Sequence, residues 1–271
     1  MSTARSKDAV NQHKRNSIRK INRLLEGYIF SDRSDLVKKA DLISYWLETF
    51  SDYIAFEEKF DSTRLIRYSR GDVIRVNFGF NIGKEFGGLH YAVVIDNHNN
   101  RNADVVTVIP LSSSDGKQIH HRNVDLGTEL FEKVDAVQKN LLLSAKSELK
   151  NLEKMFKMLD NSLKLSKQYV LTEENLSVDM EKQLNETFEY KNKLAEKISD
   201  LENSISIIQR NKNEISRLKK GSMAIVNQVT TISKQRIYTP KRSEDFLYGI
   251  SLSAYAMNKI NDRLKELYIF E

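Results

Sequence analysis

The spacing of apolar residues changes along the chain, and each change marks a boundary. In residues 1–67 the period is helical. Ile18, Ile21, Leu24 and Leu25 recur at helical steps within 5–26, and Leu36, Ala40, Leu42, Ile43, Trp46, Leu47, Phe50, Tyr53 and Ile54 repeat the pattern between Ser34 and Phe60. Ser34 is the expected N-cap of this second helix. At Arg70 the period becomes two. RGDVIRVNFGF sets Val73, Arg75 and Asn77 against Ile74, Val76 and Phe78, which predicts a strand. HYAVVIDN (90–97) and ADVVTVIPLSS (103–113) are short and β-branched, with Asn97, Asn99, Asn100 and Asn102 between them, and HHRNVDLGTEL (120–130) offers another strand. Short strands in this series predict a small barrel.

From about residue 135 the period turns helical again, now in heptad steps. Leu142, Leu149, Leu152, Phe156, Leu159 and Leu163 form one series; Met180, Leu184, Leu194, Ile198, Leu201, Ile205, Ile208 and Ile215 form a second. Thr172 and the glutamates after it read as a helix restart, so two long helices joined by a turn predict an antiparallel coiled-coil hairpin. At 1.5 Å per residue its arms would reach roughly 45–60 Å. Thr187, Lys191 and Lys212 fall on the seam, where polar residues fix register at a cost in packing. KKG at 219–221 ends the hairpin. SMAIVNQVTTIS (222–233) then alternates as strand, and 251–270 reads as an amphipathic helix. Strands flank the hairpin on both sides, and neither group could bury a face alone. A single barrel interrupted by the hairpin explains the order: N-terminal helices over 1–67, a barrel with its terminal helix over 68–134 plus 220–271, and an inserted coiled coil over 135–219. The fold class is α+β.

Composition narrows this picture. Two prolines and ten glycines in 271 residues agree with long uninterrupted helices. There are no cysteines, which excludes disulfides, thiolate metal sites and cysteine nucleophiles and suits a cytoplasmic location. The first twenty residues contain no apolar run suited to a signal peptide, and no window approaches a membrane span, so no membrane role is expected. The net charge of +6 makes a polyanion a plausible partner. Within 5–26, Arg5, Lys7, Lys14, Arg15, Arg19, Lys20 and Arg23 stand against Asp8 and Glu26. This segment reads either as part of a helical hairpin packed on the rest or as a basic RNA-binding helix.

Candidate chemistry concentrates in NFGFNIGKEFGGLHYAVVI (77–95). Gly79, Gly83, Gly87 and Gly88 do not match a dinucleotide fingerprint, and no helix follows them, so they read as hinges of a loop between strands. His90 stands where the loop becomes strand, either as a hydrogen-bonded edge residue or as a titratable group facing a ligand. His98 lies in an asparagine-rich turn, and the adjacent His120 and His121 point to opposite sides of any strand. No metal spacing is present.

These stretches resemble, in order, the MazF/PemK family of toxin endoribonucleases. RGDVIRVNFG (70–79) resembles its opening strand, GKEFGGLHYAVVI (83–95) its loop and second strand, VVTVIPLSS (105–113) the strand that ends Pro-Ile/Leu-Thr-Ser, and SMAIVNQVTTISKQRI (222–237) a later strand. The resemblance covers about 69–130 and 221–271. It implies an SH3-like barrel, usually dimeric, and metal-independent, sequence-specific cleavage of single-stranded RNA such as mRNA, without a cofactor. It also implies neutralisation by an antitoxin, protein or RNA.

Residue by residue, the family's catalytic arginine falls on His90, its proline on Tyr91, its active threonine on Ser112 and its loop glutamate on Glu85. Metal-free cleavage uses the ribose 2′-OH, which needs a proton acceptor and a cation for the phosphorane; histidine suits the first task and arginine the second. The resemblance therefore assigns proton transfer to His90 and a phosphate contact to Ser112, with Ser113 as a spare, and Glu85 joins the catalytic set. Arg75 or Lys84 would supply the positive charge. Asn81, Phe86, Tyr91, Gln228, Thr230, Lys234 and Arg236 are candidate RNA contacts, with Phe80 and Phe86 suited either to base stacking or to core packing. Two other readings stand beside this one. In the first, the barrel has lost catalysis and binds nucleic acid or a gyrase-type protein. In the second, the coiled coil is a sensor or oligomerisation arm.

Overall fold

The computed structural model describes residues 5–114, 116, 118–170 and 178–269. Helix α1 (Lys7–Ile29) starts at Ser6, whose hydroxyl accepts the Ala9 N–H at 3.2 Å. Helix α2 (Ser34–Phe56) begins one residue earlier than expected: Ser34 is helical, and the cap position is Arg33, which makes no side-chain cap bond. Asp35 in the first turn supplies the negative charge that a helix N-terminus favours, and the Arg33 guanidinium holds it at 2.6 Å. No residue of α1 is buried, and Ala40 alone is buried in α2.

Among the described residues seven strands form one antiparallel sheet: β1 (Val73–Asn77), β2 (Leu89–Val94), β3 (Val105–Ser113), β4 (Val124–Gly127), β5 (Ser222–Ala224), β6 (Thr230–Ser233) and β7 (Ile237–Thr239). The order is β4-β5-β3-β2-β1-β7, with β6 also paired to β3. Among the described residues this path is open between β4 and β7, rather than closed into the expected barrel. The strands before and after the long helices do join one sheet, because β5 and β6 both pair with β3 and β7 pairs with β1.

The period-two alternation sorts side chains into two cores. Val73, Val93, Ile109 and Leu111 face one cluster; Ile74, Val76, Phe78, Ala92, Val94, Val106 and Val108 face the other. The first cluster continues into Leu130, Val134 and Ile215 at the roots of the long helices and into Ala256, Met257 and Ile260 of α5 (Ala254–Tyr268). Arg70 ties the same region together: its guanidinium donates to the Ile95 carbonyl at the end of β2 and to Asn261 of α5.

Helices α3 (Glu129–Val170) and α4 (Val178–Arg217) pack against each other. Leu163, Leu194, Ile205 and Ile215 are buried, and the other described heptad residues are half-buried. Lys191 of α4 reaches back to Asp160 of α3 and lies 5.2 Å from the Phe156 ring. With Leu130 and Leu218 together at the roots, this pairing makes the two helices antiparallel. The hydroxyl of Thr187 is satisfied within its own helix, at the Gln183 carbonyl. The Thr172 restart and the side chains of Met180 and Lys212 lie outside the described residues. At the base, the Glu129 carboxylate accepts from Ser253, the N-cap of α5, and pairs with Lys133 at 3.0 Å. The root of α3 is thereby fixed to α5.

Candidate active site

His90 lies at the start of β2, opposite Val76 of β1, and Arg75 lies opposite Tyr91. Ser112 and Ser113 end β3, paired with Met223 and Ser222 of β5. Arg75, His90, Tyr91, Ser112 and Ser113 line one cavity of about 280 Å³. Its remaining wall comes from Leu111 of β3, from Gly221 and Ser222 at β5, and from the helix roots: Leu130 at the start of α3, and Leu218 and Lys219 just after α4. Lys219 was not legible as a site residue. Its KKG context gave only a helix stop, and the cavity forms because strands far apart in sequence bring that stop beside His90.

The electrostatics of the cavity favour a neutral imidazole. Burial lowers the pKa of His90 below its ordinary value, and the Arg75 guanidinium lowers it further. His90 keeps an exposed surface at the mouth of the cavity, and the Phe86 ring stands edge-on to its imidazole at 4.6 Å between centroids. Arg75 is held between the rings of Tyr91 (5.8 Å) and Tyr238 (5.4 Å). A neutral histidine beside a fixed cation can accept a proton while the cation faces developing negative charge.

The loop from 78 to 88 is tied at several points. Gly88 N–H donates to the Gly79 carbonyl at 2.7 Å, and the Asn81 amide donates to the Phe86 carbonyl at 2.7 Å. Gln228 bridges from β5–β6: its Oε1 accepts from Phe86 N–H, and its Nε2 donates to the Lys84 carbonyl, both at 3.3 Å. Asn81, Glu85, Phe86, Gln228, Thr230 and Arg236 line a second cavity of about 320 Å³. Glu85 therefore stands apart from the His90 cavity, and its carboxylate accepts the Ile82 N–H at 3.2 Å. Lys84 is exposed on the loop. Arg236 donates to the Asn77 carbonyl at 2.9 Å and lies 5.4 Å from the Trp46 ring of α2.

Lys234, expected at an RNA surface, is placed in the interior with 1 % exposure. Its ammonium donates to the carbonyls of Asn100 (2.9 Å) and Arg101 (3.4 Å). The β2–β3 turn offers these carbonyls, with Asp96 and Asp104 nearby, so the buried charge is compensated. His120 and His121 lie ring against ring at 4.2 Å, exposed and outside these cavities. Among the described residues no group of three or more His, Asp or Glu could hold a metal ion.

Fold and site together define a small antiparallel β domain with one polar cavity that holds a histidine, paired serines and basic side chains. Residues 69–155 match the family model described as PemK-like, MazF-like toxin of type II toxin–antitoxin system. The match spans β1–β4 and the first part of α3; β5–β7 and α5, which complete the same sheet, lie outside it. This is the family that the motifs resemble, and the match is confined to that segment. No curated protein matches the chain. No described helix is long and apolar enough to cross a membrane.

Proposed function

We propose that this protein is the toxin of a toxin–antitoxin pair and a metal-independent, sequence-specific endoribonuclease acting on single-stranded RNA. The observation that carries this reading is the shared cavity of His90, Ser112, Ser113, Arg75 and Lys219 on a domain that matches the toxin family. In this reading neutral His90 takes the proton of the ribose 2′-OH. The 2′-oxygen bonds to phosphorus, the bond from phosphorus to the 5′-oxygen breaks, and the leaving oxygen takes a proton from water at the open mouth of the cavity. Ser112 donates a hydrogen bond to a phosphate oxygen, with Ser113 as its neighbour. Arg75 and Lys219 face the phosphorane charge. The products carry a 2′,3′-cyclic phosphate and a 5′-OH.

The same reading takes the sheet as an SH3-like barrel (68–134 plus 220–271) that works as a homodimer in the cytoplasm and is held in check by an antitoxin. It takes 135–219 as an inserted antiparallel coiled coil and 1–67 as a separate helical unit. Purified protein incubated with single-stranded RNA in EDTA tests it. Sequence-biased cleavage that disappears in His90→Ala is expected. Intact RNA with measurable binding would instead leave a nucleic-acid-binding module, the reading favoured if histidine at the arginine position marks a lost activity.

A further inference from the structure

A third hollow lies beside the two already described, and its helix side, Leu42, Tyr45, Trp46 and Thr49, lies outside the family match. It has a volume of about 410 Å³ and sits between α2 and the 77–88 segment, with Leu42, Tyr45, Trp46 and Thr49 on the helix side and Phe80, Asn81 and Glu85 on the loop side. Residues 42–49 precede the matched segment. The hollow shares Asn81 and Glu85 with the second cavity, and Phe86 of that cavity touches His90 of the first. The three hollows therefore lie side by side around the 77–90 segment.

The chemistry of the third hollow is aromatic walls with hydrogen-bond acceptors at one rim. Tyr45 is 62 % exposed at its edge. Trp46 forms the floor, fixed by Arg236 at 5.4 Å and by the Gly79 backbone against its edge. The Asn81 amide nitrogen is committed to backbone carbonyls, which turns its Oδ1 into the group that remains for a ligand. One Glu85 oxygen accepts from Ile82 N–H, leaving the second as another acceptor. Stacking rings accept any flat base, whereas two acceptors favour a base that presents N–H groups.

We infer that the hollow between α2 and the 77–88 loop is a subsite for one unpaired base of the RNA, selecting bases with an exocyclic amino group over uracil. This rests on the RNA reading above. It assigns α2 a direct part in substrate contact: the helix extends the groove of the β domain, and a base seated on Tyr45 sets the register of the strand across His90.

Trp46 is the single tryptophan of the chain, so tryptophan emission reports from the wall of this hollow. The experiment titrates full-length protein with short 2′-O-methyl RNA, which cannot be cleaved, while following both Trp46 emission and the anisotropy of labelled RNA. A saturable change in Trp46 emission is expected. Tyr45→Ala should weaken binding about tenfold, within the range for loss of one stacked base, and Tyr45→Phe should restore it. Uracil-only RNA should bind more weakly than RNA with amino-bearing bases, and Glu85→Gln should reduce that difference. Because Tyr45 is exposed, Tyr45→Ala should keep the helical circular dichroism of the parent. If RNA binds while Trp46 emission and Tyr45→Ala are both silent, the subsite is overturned and the nuclease reading survives. If no RNA binds at all, the RNA reading falls, and the subsite with it.

Discussion

The indole of Trp46 rests on the backbone of Gly79: a Cβ built on Gly79 would fall 2.6 Å from Trp46 Cζ2. Gly79 also has φ of +80°, a conformation that costs an L-residue roughly 1–2 kcal/mol. Both effects act against any side chain at this position. Gly79→Ala should lower stability by about 2–3 kcal/mol, adding a displaced indole to the backbone strain. Urea unfolding followed by Trp46 emission measures it. A stability equal to the parent would show that α2 does not pack on the loop.

His90 titrates below its ordinary 6.5 because of burial first and the Arg75 charge second. If neutral His90 is the proton acceptor, the acid limb of the pH–rate profile lies below pH 6.5. Arg75→Ala removes the second cause and moves that limb upward, short of 6.5, since burial remains. The sign for stability follows. Between the folded value and 6.5 the unfolded chain binds more protons, so the contribution of His90 to stability is present above 6.5 and is lost as pH falls through the folded value. A histidine-resolved NMR titration alongside the rate profile checks both. A His90 pKa at or above 6.5 would overturn the lowered value and the stability sign drawn from it.

The strands and both long helices were readable because their apolar periods differ sharply, and Val73/Ile74 or Leu159/Leu163 carry those periods without help from distant residues. His90, Ser112 and Ser113 could be picked out because a resemblance in ordered motifs placed them together, and the structure sets them around one cavity. What remained hidden depends on distant contacts. Nothing near Trp46 in sequence indicates that it lies on Gly79, and nothing near Lys219 indicates that it lines the His90 cavity. Lys234 looked like a surface cation because its partners, the carbonyls of Asn100 and Arg101, are backbone atoms far back in the chain. Ser34 missed its cap role by one residue, where Arg33 and Asp35 settled the helix start between them.

The contrast between Lys234 and Arg236 gives a sharp test. Lys234→Met keeps an unbranched side chain one atom shorter and leaves the carbonyls of Asn100 and Arg101 without their donor. It should cost about 1–3 kcal/mol of stability, and the RNA affinity of the folded protein should stay unchanged. Arg236 borders the second cavity, so Arg236→Ala should weaken RNA binding as well. Denaturant midpoints and RNA anisotropy on the same preparations separate the two outcomes. A Lys234→Met protein of parental stability but weaker RNA binding would return that lysine to the nucleic-acid surface.

The long helices meet the His90 cavity at their roots, while Ile207 and Asn211 of α4 share a separate hollow with Arg75 and Tyr238, and this makes their removal informative. Leu130, Val134 and Ile215 belong to the core of the sheet, and Leu218 and Lys219 line the His90 cavity. Residues 140–209 contribute none of these. The two roots approach the same cavity, so a short linker can span them, and loop-closure entropy grows only slowly with linker length. A chain with 140–209 replaced by such a linker should keep a cooperative melt and any RNA cleavage the parent shows. Removing 129–219 entirely strips three buried side chains from the core, each worth about 2–5 kcal/mol when truncated, and should abolish folding. Thermal melts and the cleavage assay on the two deletions decide whether the hairpin is a separable arm on a fixed base. If the shorter deletion melts normally but loses cleavage, the arm itself must reach the substrate or the partner copy.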